Sequence, residues 1–324
     1  MEILVSRESD MAAGNVGTVR PEDERLGIGA SVAYGLQHVL TMYGGIIAVP
    51  LIMGGAAGLD AAQTGLLIAS CLFVSGLSTI LQSVGVPFFG SQLPLVQGVS
   101  FASVATMLTI LEGGNGLPGV FGAVIAAGAL GLIIAPFFAR IAHFFPPVVT
   151  GVVITTIGLT LLPVAGRWAM GNAVDSPDYG SVANLSLAGF TLLVIVALSK
   201  VGLASLSRLS ILLAIVLGTV VAALFGMADF SRIGEGSIFA VPQPFVFGAP
   251  VFDIAAILSM FIVIIVIMTE TMADIIAVGE IVRTKVDSRR IANGLRADML
   301  STMARRSSTP SPSPPSRRTS GSSR

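Results

Sequence analysis

Apolar residues run along this chain in long blocks, and short polar or Gly/Pro breaks separate them. A bilayer core of about 30 Å is crossed by roughly 20 apolar residues in a helix. On that measure the pattern predicts spans near 32–53, 62–84, 93–111, 118–139, 147–166, 185–203, 208–227 and 251–280. A ninth starts at Ile291. Gly54-Gly55, Pro87, Gly113-Gly114, Pro146-Pro147 and the polar stretch Gly171–Asn184 part the blocks. The segment from Asp229 to Pro250 carries three prolines, Pro242, Pro244 and Pro250, and reads as an exposed loop. The last full span is long, so its C-terminal end is expected to leave the membrane.

Three domains follow. Residues 1–30 are polar, mixed in charge and lack the apolar stretch of a signal peptide, so they read as a cytoplasmic arm that begins to order near Glu24 or Leu26. Residues 31–303 form the membrane domain. Residues 304–324 are a Ser/Pro/Arg tail without apolar periodicity, expected to be disordered. With the N-terminus inside, cytoplasmic segments hold 11 Lys and Arg up to Met303, from Arg7 to Arg296, against Arg167 and Arg232 outside. The positive-inside rule therefore places the N-terminus and Arg283–Arg290 in the cytoplasm of a cell carrying this chain in its plasma membrane.

Composition narrows the function. Of 324 residues, 53% are hydrophobic and 11% charged, far below the roughly 25% of a soluble domain. The net charge of zero removes the basic field that nucleic acid binding needs. One cysteine, Cys71, and two histidines, His38 and His143, leave no basis for a disulfide or a metal centre. No zinc-protease, nucleophile-elbow or phosphate-loop motif occurs, so no enzyme and no cofactor are expected.

Three polar clusters interrupt the apolar blocks, and each is costly to leave against lipid. Gln37-His38 sits early in the first span, where it could bind a ligand or join helices by hydrogen bonds. In the third, Gln92-Leu-Pro-Leu-Val-Gln-Gly-Val-Ser-Phe-Ala-Ser103, Pro94 lacks a donor and Gly98 weakens helix. This predicts a short extended piece followed by helix from about Ser100, whose free N–H groups suit a carbonyl-rich or anionic ligand. An ordinary proline kink is the alternative. The last cluster, Glu270-Thr-Met-Ala-Asp274, puts two carboxylates one turn apart on one face after the apolar run Leu258–Met268. It reads either as a cavity-facing pair able to exchange a proton or as a helix that has left the bilayer.

These clusters resemble the nucleobase–ascorbate transporters (nucleobase:cation symporter-2). Gln37-His38 is similar to the family's first-span motif, and Pro94-Leu-Val-Gln-Gly-Val-Ser-Phe-Ala102 to its third span. Phe145-Pro-Pro-Val-Val-Thr-Gly151 resembles the start of the fifth, and Glu270-Thr-Met-Ala-Asp274 with Gly279-Glu280 the eighth-span signature. The resemblance covers residues 27–303 and implies an all-α polytopic membrane protein. Its fold would be part of a 7+7 inverted-repeat transporter with a broken strand–helix third span.

Spans 1–4 and 8 would form a core, and spans 5–7 a gate. By the same resemblance Glu270 hydrogen-bonds a purine base, Ser100 and Phe101 line the site with Gln37 and His38, and Asp274 tunes Glu270 or takes part in coupling. The Glu-x-x-x-Asp form is similar to the xanthine/urate branch. Cation-coupled purine uptake is implied, with H+ as coupling ion and Na+ as the alternative, and with a homodimer for a full-length protein. An anion carrier or channel of the same fold is the second reading.

Family members continue through spans 9–14, including a Gln-Asn-x-Gly-type motif in the tenth. The tail from Ser307 can be encoded so that a shifted frame reads V-F-N-S-F-P-F-S-A-F-A-Q-N-V-G-L-V, which contains that motif. A frameshift near Ser301–Arg306 is therefore expected, and with it a chain inactive on its own.

Overall fold

The computed structural model describes residues 20–23, 26–141, 147–171, 174, 176–201, 204–228, 230 and 247–307. Most of the arm, His143, most of the loop between Asp229 and Pro250, and the tail after Ser307 lie outside the described residues.

The described residues are mostly helical, without a named strand: α1 Ile28–Ala56, α2 Ala61–Val84, α3 Val104–Ile110, α4 Gly116–Arg140, α5 Pro147–Ala169, α6 Val182–Lys200, α7 Ala204–Arg208, α8 Ser210–Leu224, α9 Ile254–Val282 and α10 Ser288–Ser307. Among the described residues, five stretches are long and apolar enough to cross a membrane, one of them the 40-residue run Phe101–Arg140. That run holds two expected spans. They are joined by a wide turn over Leu111–Asn115, where Gly114 takes φ 93°, a value that glycine adopts without strain. The expected span 208–227 is interrupted at Leu209, which separates α7 from α8.

Local chemistry sets several helix starts. Asp60 opens α2 with a capping box, its side chain accepting from the Gln63 N–H while Gln63 accepts from the Asp60 N–H. Ser181 and Asp253 cap α6 and α9 with a single side-chain bond each, satisfying otherwise orphan N–H groups. Arg283 closes α9 in the left-handed region, φ 60°, and turns the chain into α10.

A single hydrophobic core joins α1, α2, α3, α4, α9 and α10, with Met53, Leu93, Met107, Phe121, Met260, Ile264 and Met299 among its most buried side chains. Helices α6 and α8 pack on each other and contribute none of the fully buried side chains of that core. Small residues bring α4 against its neighbours. A Cβ at Gly131 would lie 2.7 Å from both Ile264 Cγ2 of α9 and Met299 Sδ of α10, so any larger residue would force these side chains to shift.

Pro21–Asp23 form a 3-10 turn, and the Glu22 carboxylate, 1% exposed, accepts from Arg290 at 2.7 Å and from Thr284 Oγ1 at 3.0 Å. At the other end, α10 continues to Ser307, past Met303 where the tail was expected to begin.

Candidate functional site

The site is built where the chain stops being helical. Residues 91–100 carry no helix, and among the described residues they pair with no strand. The expected strand is therefore not formed among the described residues: the segment is irregular backbone without a ladder. Its groups find side chains instead: the Gln97 N–H donates to Thr79 Oγ1 of α2 at 3.0 Å, and the Gln97 side chain is buried.

Helical backbone resumes immediately after Ser100, close to where it was expected, first as a 3-10 turn over Phe101–Ser103 and then as α3. Ser100 caps that turn: its Oγ accepts from the Ala102 N–H at 3.2 Å, and its carbonyl accepts from Ser103 Oγ at 2.9 Å. The same hydroxyl donates to Glu270 Oε2 of α9 at 3.1 Å. Serine has one proton and two lone pairs, so it serves cap and carboxylate together. Glu270 is half-buried, and its Oε1 makes no hydrogen bond among the described residues. The pair thus offers one carboxylate oxygen fixed by Ser100 and one free to accept from a ligand N–H. Phe101 packs partly buried on the core beside it.

Asp274, one turn after Glu270, is exposed and has no side-chain hydrogen bond among the described residues. Gln37 and His38 are not tied to this pair. They lie on the half of α1 before Gly44, which is mostly exposed, whereas the half from Gly44 to Gly54 enters the core. His38 is exposed and Gln37 half-buried, and neither side chain hydrogen-bonds among the described residues. No group of His, Cys, Asp or Glu among the described residues could hold a metal ion.

The structure adds a residue that the sequence reading passed over. Asp298 of α10 is 5% exposed and accepts from Thr271 Oγ1 at 2.6 Å, one residue along α9 from Glu270. Its signal was available: an acid inside Ile291–Met303, a stretch already read as re-entering the membrane.

Comparison with known proteins bears on the chain as a whole. The profile of the permease family matches residues 29–309. The chain is 40% identical to the uric acid transporter UacT of Escherichia coli (strain K12) over 292 residues, 89% of this chain and 60% of that protein. It is 39% identical to the xanthine permease of Bacillus subtilis (strain 168) over 86% of this chain and 63% of the relative. The nucleobase transporter PlUacP of Paenibacillus larvae is 37% identical over 83% and 62%. The chain thus spans about 60% of the length of the relatives it matches. The transmembrane domain of a cyanobacterial bicarbonate transporter, BicA, superimposes with TM-score 0.50 at 19% identity, covering 82% of this chain and 72% of that domain, a likeness of fold. With a broken third span facing Glu270 and this family match along most of its length, the chain belongs to the permease family, within the nucleobase–ascorbate transporters and on their xanthine/urate branch.

Proposed function

We propose that a full-length transporter built on this site carries a purine nucleobase of the xanthine or urate type across the plasma membrane, coupled to H+ or, in the second instance, Na+, and that this chain is inactive on its own. The observation that carries the reading is the Ser100–Glu270 hydrogen bond. Oxopurines present ring N–H donors beside carbonyl acceptors. The free Oε1 of Glu270 accepts one such N–H, and backbone N–H groups near the start of the Phe101 turn face the carbonyls. A hydrogen bond to a charged group is worth about 1.5–3 kcal/mol, enough for orientation within an otherwise apolar setting.

Asp274 is the coupling group in this reading, since its carboxylate is one turn from Glu270 and uncommitted to any described partner. Gln37 and His38 would join the site only if the first half of α1 packs inward. In this reading the N-terminus lies in the cytoplasm, and the full-length protein works as a homodimer. Similarity to relatives named for uric acid, xanthine and nucleobase transport supports the substrate class.

The test is equilibrium binding of xanthine and urate to the purified 324-residue chain, with Glu270→Gln alongside, followed by uptake in cells lacking purine carriers. Saturable purine binding lost in Glu270→Gln supports the reading. Absence of purine binding, with uptake of an inorganic anion unaffected by Glu270→Gln, replaces it with the anion carrier suggested by the shared fold.

A further inference from the structure

At the end of the molecule assigned to the cytoplasm, a cavity of about 890 Å³ opens between the loop after α2 and the turn from α9 to α10. Five cations line it, Arg20, Arg283, Lys285, Arg289 and Arg290, against one carboxylate among the described residues, that of Asp287. Their commitments differ. Arg290 is spent on Glu22, on the Ser91 carbonyl through Nε, and on the Gln92 carbonyl at 2.8 Å. Arg20 is held by Asp23 at 2.8 Å and by Gln92 Oε1 at 3.1 Å. Asp287 caps α10, its Oδ1 accepting from the Arg290 N–H at 2.7 Å. Arg283, Lys285 and Arg289 are exposed, and their side chains make no hydrogen bond or ion pair among the described residues.

Next to these three cations the surface becomes apolar. Val86 and Phe88, which also line the cavity, are 52% and 66% exposed, and Ile281 just before Arg283 is 80% exposed. Phe88 is held outward on a backbone of φ 73°, which an L side chain seldom adopts. Uncommitted cations above exposed aliphatic and aromatic groups match the boundary between phosphates and acyl chains in a bilayer. Both sides of the contact are therefore present: a concavity of positive potential, and a greasy rim at the depth where a headgroup would enter.

We propose that this cavity binds a phosphate-bearing anion through Arg283, Lys285 and Arg289. Either the headgroup of an anionic phospholipid or free phosphate could present that chemistry. The apolar rim favours the lipid, because free phosphate gains nothing from Val86 and Phe88. The site is separate from Ser100 and Glu270, so its occupancy adds to the purine reading and does not depend on it.

The experiment titrates the purified chain in neutral detergent with three probes: dihexanoyl phosphatidylglycerol, dihexanoyl phosphatidylcholine and inorganic phosphate. Saturable binding of the phosphatidylglycerol is expected, weakened about 100-fold by the combined Arg283→Ala, Lys285→Ala and Arg289→Ala substitutions, since a surface cation contributes about 1 kcal/mol toward an anionic headgroup. Phosphatidylcholine should bind far more weakly. Inorganic phosphate binding as tightly as the lipid, with the same loss in the variant, would keep the site and assign it to the free anion. Phosphatidylglycerol binding untouched by the triple substitution, or phosphatidylcholine bound equally well, overturns the proposal. An unchanged unfolding temperature of the triple variant separates loss of the site from loss of the fold. If that variant unfolds, Arg289→Glu alone, at an exposed side chain, carries the same comparison.

Discussion

The Ser100 hydroxyl donates to Glu270 Oε2 at 3.1 Å, joining residues 170 positions apart in the chain. It is the point where the broken third span meets the acidic helix α9, and it brings the two polar clusters together. Ser100→Ala removes this donor and the cap on the Ala102 N–H together. Purine affinity should fall by about 1 kcal/mol, roughly fivefold, and less than in Glu270→Gln, where about 1.5–3 kcal/mol is lost. Equilibrium dialysis with xanthine ranks the two variants, and affinities in both equal to that of the unsubstituted chain would remove the pair from the site.

Thr271→Val keeps the shape of a buried side chain and withdraws the hydroxyl that donates to Asp298 at 2.6 Å. A buried acid deprived of a donor costs about 1–3 kcal/mol. The chain should unfold at lower temperature in detergent, and Asp298→Asn should recover part of that loss when combined with it. A double-mutant cycle read by thermal unfolding shows the coupling, and strict additivity would mean that the contact carries no energy.

Gly122→Ala should be the more damaging of two glycine substitutions. A Cβ there would run into the Val251 carbonyl, which is backbone and cannot rotate away, so overpacking of about 1–3 kcal/mol is expected. Gly151→Ala meets nothing within 4 Å and should change stability by about 0.5 kcal/mol or less. Detergent-stable yield and unfolding temperature compare them directly.

The docked arm gives a pH dependence whose sign follows from Glu22. Burial alone would raise its pKa. The opposing hydrogen bonds, from its own backbone N–H and from the Arg290 and Thr284 side chains, together with the Arg290 charge, hold it below the ordinary carboxylate value. A lowered folded-state pKa means that the stabilisation is complete above the unfolded value and is lost as pH falls through the folded one. Protection of the arm in limited proteolysis should hold at neutral pH and disappear on acidification below the ordinary carboxylate range. Glu22→Gln should show the weak protection at every pH, and an arm equally protected in that variant would exclude the ion pair as its anchor.

Topology has its own test. With Cys71→Ala as background, Asp287→Cys should resist an impermeant thiol reagent applied to intact cells and react once the membrane is opened. Labelling from outside would invert the orientation read from the Lys and Arg distribution.

Much of the architecture was legible because the rule behind it is local. A helix must bury about 20 residues in hydrocarbon whatever its neighbours do, so α1, α2, α4, α5, α6 and α9 appear within a few residues of where the apolar blocks put them. The break before Ser100 was legible for the same reason, since Pro94 and Gly98 disfavour helix in any context. Likewise the spacing of Glu270 and Asp274 alone puts them on one face. Which faces meet was not legible. Spans that are apolar on every side show no inward stripe, and nothing in the sequence distinguishes lipid from protein as the partner of a leucine. Only the tertiary packing brought Ser100 to Glu270, set Thr271 against Asp298, and left the first half of α1, with Gln37 and His38, outside the core. It also seated Glu22 on Arg290, because a buried ion pair depends on two chain segments 268 residues apart arriving together, and no local pattern records that meeting.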